Sequence, residues 1–423
     1  MAPTPLIDRA LDALAKLGGT SREVRRYFVP GRIEVLGKHT DYAGGRSLLC
    51  AAERGMCFAV APRADDRMRV ADGRLGETVE FVISPTVRAK PGHWSNYPMT
   101  MARRLARNFS AGGQLRGADI GLVGDLPLAA GMSSSSAVSV GFYYALADVN
   151  GLEQRPEYAA NIHAPEDLAG YLGTVENGRT FGTLRGDTGV GLAGGSEDQT
   201  AILCCRAGEL SQYSFCPVRH ERNLALPKGW VFAVAVSGVV ADKNAAAQEK
   251  YNRAARLMDD VMREWRQATG RPDLWVADAV VSSPDAVAQL RQILAGAPTQ
   301  LDRFEQFYVE SNEIIPAVGD LLAQGDVAGI GPLVDRSMDR AVKLLGNQVP
   351  ETIGLAASAR ELGAAAASAF GGGFGGAVWA LVRGTGADGF LSRWTDAYRR
   401  AFPSRAAAAE FFLTPAAPAM RRL

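Results

Sequence analysis

An excess of charge of either sign is the first thing this chain lacks. Its 46 Lys and Arg stand against 45 Asp and Glu, a net +1 over 423 residues. No global basic field therefore favours nucleic acid or an acidic membrane surface as partner. Histidine is scarce at four, and His93, His163 and His220 show no metal-ligand spacing. The five cysteines (Cys50, Cys57, Cys204, Cys205, Cys216) are odd in number and form no CxxC pair. No disulfide framework is visible, so they read as buried thiols in a reducing compartment. No apolar run reaches membrane-spanning length. Residues 1–19 mix acids and bases among apolar residues, the pattern of an amphipathic helix and not of a signal peptide. A cytoplasmic protein is expected, with no nucleic-acid or membrane partner.

What is present is ordinary globular material, 47% hydrophobic and 22% charged, in a chain long enough for two or three domains. Strand character runs through YFVPGRIEVLG, with a break expected at Pro30–Gly31, and through SLLCAAERGMCFAVAPR, MRVADG and TVEFVIS. Helical spacing marks 94–109, 136–151 and 244–270, and alanine-rich helical stretches continue to about Ala367. Apolar strands are expected at 230–238 and 377–382. Helices and strands mix without a βαβ rhythm, so the class is α+β. The pattern loosens around Cys216, Pro217 and Pro227, which suggests a domain 1–205 and a domain 206–423.

Four consecutive serines, Ser133–Ser136, follow Gly131 and enter an apolar helix. The first turn of a helix leaves N–H groups unpaired and carries partial positive charge. A glycine before it lets an anion approach closely, so the stretch suits phosphate. Taken alone, a serine cluster more often marks only an N-cap in a serine-rich turn. It is not a Walker A loop, because no Gly-Lys-Ser/Thr follows the glycine.

Five stretches occur in order: PGRIEVLGKHTDYAGG (30–45), PLAAGMSSSSA (127–137), GGSEDQ (194–199), KYNRAAR (250–256) and GGGFGG (371–376). Together they resemble the GHMP sugar and metabolite kinases, and within them the galactokinase branch, whose signature is close to PGR-(apolar)-x-(apolar)-(apolar)-GEHTDYxGG. WSNY (94–97) has a counterpart there too. The resemblance implies a two-domain α+β kinase with ATP, Mg²⁺ and a small-molecule sugar in a cleft between the halves. It makes Asp198 the catalytic carboxylate that accepts the sugar hydroxyl's proton. It makes Arg32 the cation that supports Asp198 or stabilises the transferring phosphoryl. His39, Asp41, Gly195 and Tyr251 would touch the sugar. Gly131, Ser133, Ser134, Ser135, Ser136 and Gly373 would hold the nucleotide's phosphates, or the glycines would brace the serine loop. Ser135 and Glu176 would ligate Mg²⁺, with Asp187, in what looks like an insertion, a competing ligand.

Two departures bear on this reading. Lys38 stands where the signature has glutamate, a sugar-binding position. Either it favours an anionic acceptor such as a uronic acid, or it points to solvent. Ser368, Ala369 and Phe370 stand where the branch often has Arg-Met-Thr. The implied function is an ATP-dependent kinase of a galactose-like monosaccharide, acting at the anomeric hydroxyl. The alternatives are a kinase of another sugar and a non-catalytic sensor of sugar and nucleotide.

Overall fold

The computed structural model describes residues 4–18, 23–89, 92–127, 130–239 and 245–423, with backbone alone at Thr4 and 245–248. Residues 1–3, Gly19, Leu128, Ala129 and Asn244 of the expected helices and loop lie outside the described residues.

Two sheets carry the fold. The first begins with β1 (Arg25–Leu36) and the seventeen-residue β2 (Arg46–Pro62), paired antiparallel along most of their length. β3 (Arg67–Asp72) and β4 (Glu77–Val82) form a hairpin. β5 (Ala118–Gly124) runs antiparallel to β2 and parallel to β3. β6 (Glu209–Ser214) pairs with the first residues of β2, and β7 (Arg219–Ala225) pairs with β6. The second sheet contains β8 (Trp230–Val236), β9 (Ala366–Phe370), β10 (Ala377–Arg383) and β11 (Glu410–Thr414), in the antiparallel order β11-β8-β10-β9. β12 (Arg421–Arg422) returns to the edge of β1.

The break expected at Pro30–Gly31 is a shift of register inside one continuous strand. Proline has no N–H for the ladder, and a Cβ on Gly31 would lie 2.5 Å from the Leu126 side chain and 2.8 Å from the Met132 carbonyl. The glycine therefore lets the serine loop lie against β1, and the shift re-aims the side chains that follow. On either side of the strand Ile33 and Val35 enter the apolar core, while Arg32 and Glu34 face a cleft.

Sequence reading placed two segments differently. The loosened stretch 205–228 contains β6 and β7, which hydrogen-bond into the first sheet; the passage to the second sheet comes at Leu226–Gly229. The alanine-rich run to Ala367 ends its helix at Glu361 and becomes β9. Its Ala366, Ala367 and Ala369 are buried. Small side chains let the helices Ile330–Arg340 and Pro350–Glu361 lie close on the sheet, and that packing overrides helix propensity.

The serine helix, Ser134–Asn150, sits on the first sheet. Gly141 is its point of closest approach: a Cβ there would fall 2.2 Å from the buried Phe58 ring. Gly141→Ala gains about 1 kcal/mol of helix propensity but overpacks this seat. A net loss of about 1–3 kcal/mol is expected, measured as a lower urea midpoint; an unchanged or raised midpoint contradicts the packing described.

Candidate active site

Ser133 takes left-handed backbone angles, φ 59° and ψ 38°, and caps its helix without a side-chain bond to the first turn. The first-turn amides thus keep the partial positive charge of a helix start. Ser133–Ser136 line a cleft of about 450 Å³. Across it runs the glycine segment joining β9 to β10. A Cβ on Gly371 would lie 2.7 Å from the Gly131 carbonyl oxygen, and one on Gly373 would lie 2.3 Å from that of Asn347. The two loops therefore pack backbone to backbone. The glycines brace the serine loop and also line the cleft.

Three distant segments meet at Arg32. Its Nε and Nη2 lie 2.8 and 2.7 Å from Asp198 Oδ1, and its Nη1 donates to the Gly131 carbonyl at 2.5 Å. Ser136 donates to Asp198 Oδ2 at 3.3 Å. The Arg32 side chain is 5% exposed and that of Asp198 31%, so the carboxylate opens to the cleft while its cation is sealed behind it. Asp198 stands in the first turn of the helix Glu197–Cys204. The adjoining Glu197 is buried, takes the Ser47 hydroxyl at 2.6 Å and lies 3.8 Å from Arg32 Nε. Burial raises its carboxyl well above the ordinary range, with Glu34 and Asp41 adding to the rise.

Asp41, Gly195, Tyr251 and His39 close the other end. Asp41 accepts the amides of Tyr42 (2.8 Å) and Glu197 (3.1 Å), and burial pushes its carboxyl up to about 6. A Cβ on Gly195 would collide with Asp41 Oδ2 at 2.3 Å; only glycine fits there. Asn252, one residue beyond Tyr251, holds that loop through the Ala193 amide and the Gly191 carbonyl. Tyr251 lies with its ring centroid 4.9 Å from that of His39. Both nitrogens of His39 are engaged: Nδ1 with Tyr42 Oη at 3.0 Å and Nε2 with the Gly372 carbonyl at 3.1 Å. Burial, with the Arg303 cation, pushes the ring down to about 4. A neutral imidazole donates Nε2–H to the carbonyl and accepts from the tyrosine.

Lys38 corrects both expectations made for it. It faces neither the cleft nor solvent: it is 1% exposed, and its Nζ lies 3.4 Å from Ser337 Oγ. The buried carboxyl of Glu34 explains the direction, since a buried ammonium needs an anion near it. The two metal candidates also separate. Glu176 lines the cleft and accepts from Gln199 Nε2 at 2.8 Å. Asp187 is outside it, its side chain 3% exposed and held by Arg103 Nε at 2.7 Å.

Sequence reasoning missed Glu34, Glu197 and Arg303. Glu34 falls at the unspecified position of the first motif, and Arg303 reaches Tyr42 Oη (3.0 Å) from 261 residues away; neither leaves a local signal. Trp94 and Tyr97 of WSNY line the cleft and a second cavity of about 150 Å³ behind Ser134 and Ser135, walled by Leu75 and Leu126.

Two family models match the chain: the galactokinase galactose-binding signature at residues 15–62 and the GHMP kinases N terminal domain at 96–174. Galactokinase of Chloroflexus aggregans is 29% identical over 375 residues, 87% of this chain and 86% of that protein. Galactokinase of Streptomyces coelicolor is 27% identical over 387 residues, 88% of each. Lactococcus lactis galactokinase complexed with galactose superposes with a TM-score of 0.81 at 20% identity, covering 97% of this chain and 98% of that one. Methanococcus jannaschii mevalonate kinase superposes at 0.57 and 13%, covering 94% and 99%.

Lys38→Glu would replace the cation that offsets the buried Glu34 by another carboxyl, where Glu310 already opposes the Glu34 charge. A loss of about 3–5 kcal/mol is expected, read by urea denaturation; a wild-type midpoint would contradict the buried placement. His39 gives a pH dependence. Its folded pKa of about 4 lies below the ordinary 6.5, so protons bind the unfolded chain first. Its contribution is full above pH 6.5 and is lost as pH falls toward 4, by about 3 kcal/mol. Stability measured at pH 7 and pH 5 should fall less in His39→Gln than in the wild type; equal slopes would show that His39 titrates normally.

Proposed function

We propose that this chain, a galactokinase-like member of the GHMP kinase superfamily, transfers the γ-phosphoryl group of ATP to a hydroxyl of a galactose-like monosaccharide, at its anomeric carbon. One observation carries the reading. Asp198 opens to the cleft, is locked to Arg32, and is bonded to Ser136 of the serine loop. A proton acceptor and a phosphate cradle are thus parts of one hydrogen-bonded unit, which is what phosphoryl transfer asks of a protein.

In this reading the serine loop holds the triphosphate on its first-turn amides, and Gly371–Gly376 keeps that loop in place. The cavity beside Trp94 and Tyr97, lined also by Leu75 and Leu126, suits the nucleotide's base. The sugar lies between Asp41, Gly195 and Tyr251, whose fixed acceptors and ring suit a hydroxyl-rich molecule. Asp198 orients the attacking hydroxyl and takes its proton as the phosphoryl group departs. Arg32 holds the carboxylate in one rotamer and balances charge building up at the transfer point. Ser135 and Glu176, a hydroxyl and a carboxylate lining one cleft, are hard oxygen donors fit to hold Mg²⁺, which takes few ligands from protein. When bound, the ion would neutralise the phosphate oxygens. Among the described residues no helix is long and apolar enough to cross a membrane, and all five cysteines are free; a cytoplasmic setting accords with both.

Sugar-dependent ADP release by the wild type, with galactose among a panel of acceptors, tests the reading. Asp198→Asn should lower kcat by about 10²–10⁴-fold while the galactose KM stays within a few-fold. A kcat close to wild type would remove Asp198 as the base, and sugar binding without turnover in the wild type would mark a sensor.

A further inference from the structure

Glu34 is a cleft group that the mechanism above leaves unused. It is 3% exposed, lies two residues beyond Arg32 on β1, and lines the same cleft. Its Oε2 accepts the Gly371 amide at 3.2 Å and sits 4.0 Å from Arg32 Nη2. Its Oε1 is buried and has no hydrogen-bond partner. A buried oxygen left unsatisfied is destabilising, and a ligand's hydroxyl would relieve that. The charges around Glu34 are set by four elements. Arg32 lies on its own strand and Lys38 in the turn after it. Glu310, held by the Gly37 amide at 2.9 Å, comes from the π-helical turn Glu310–Ile314. Glu197 comes from the helix that carries Asp198. Burial pushes the Glu34 carboxyl up, Lys38 and Arg32 lower it, and Glu310 adds to the rise.

We propose that Glu34 determines specificity: its free carboxyl oxygen takes a hydroxyl of a neutral acceptor sugar and turns away acceptors that carry a carboxylate. This rests on the sugar-kinase reading and narrows its substrate. Lys38 offers no cation to a uronic acid, because it is buried against Ser337. His39 is neutral at physiological pH. Arg32 is committed to Asp198 and Gly131. An anionic acceptor would meet the Asp198 carboxylate and the buried carboxyl groups of Glu34, Asp41 and Glu197 with no free cation among these residues to balance it, and a charge brought into such a site without a counter-charge loses its hydration uncompensated.

The test compares kcat/KM of wild type, Glu34→Gln and Glu34→Asp for galactose, each monodeoxygalactose that keeps its anomeric hydroxyl, and galacturonate, with the ATP KM and thermal midpoint of each variant. The expected result is a loss of about 10–100-fold on galactose in both variants. That loss should disappear with the one deoxy sugar that lacks the contacted hydroxyl. The preference of the wild type for galactose over galacturonate should narrow in Glu34→Gln, and the ATP KM should stay unchanged. Activity on galactose equal to wild type in both variants overturns the proposal. So does an equal loss on every deoxy sugar, which would assign Glu34 to folding. Wild-type activity on galacturonate that matches galactose also overturns it, leaving the kinase reading intact. Absence of sugar-dependent ADP release from the wild type with every acceptor overturns both.

Discussion

A buried guanidinium holds the centre of this molecule. Arg32 is 4% exposed, and a cation at that depth persists only when anions and acceptors surround it. Asp198 and the Gly131 carbonyl supply the direct contacts, and Glu197 and Glu34 lie within 4.0 Å. Those partners stand on the strand β1, the serine loop and the helix Glu197–Cys204, up to 166 residues from Arg32. The cleft is the space those segments leave when each has satisfied Arg32. A fork-shaped donor suits the task, because its nitrogens bind separate groups in one plane and fix their mutual positions.

Around that centre the charges are unbalanced on purpose. Carboxyls outnumber the cations that reach the cleft, and burial pushes several of them up toward neutrality. The balancing cations stand one layer back. Lys38 lies behind Glu34, and Arg303, 1% exposed, supports Tyr42 from the helix Pro298–Val309. Gln306 on the same helix bonds the Lys38 carbonyl at 3.1 Å. The backbone of residues 38–42 is therefore fixed from the far half of the chain, and polar groups in the cleft keep their positions without a ligand to hold them.

Much of this site was legible because backbone geometry demands particular residues. Gly195 has no room for a Cβ, the serine loop needs Gly131 and its partner Gly371, and helix starts recruit serine. Such requirements leave letters in order along the chain, and they located Arg32, Asp41, Ser133–Ser136, Asp198 and Tyr251 in one cleft. The direction of a side chain leaves no such mark. Lys38 follows Gly37 in the expected motif, yet its ammonium reaches Ser337, which is distant in sequence. Glu34 owes its place in the cleft to the alternation of β1 between core and cleft, which the pairing with β2 sets. The β6–β7 hairpin and the alanine strand β9 were obscured for a related reason: long-range pairing decided their conformation against weak local signals.

The alternation of β1 carries a last consequence. Between Pro30 and Leu36 the strand slips its register twice against β2, and this phasing is what delivers Arg32 and Glu34 to one side and Ile33 and Val35 to the other. Removing or adding a single residue in that stretch would send two charges into oil and two hydrocarbons into water, whichever letters were chosen. The stretch is thus held to its length as strictly as Gly31 and Arg32 are held to their identities.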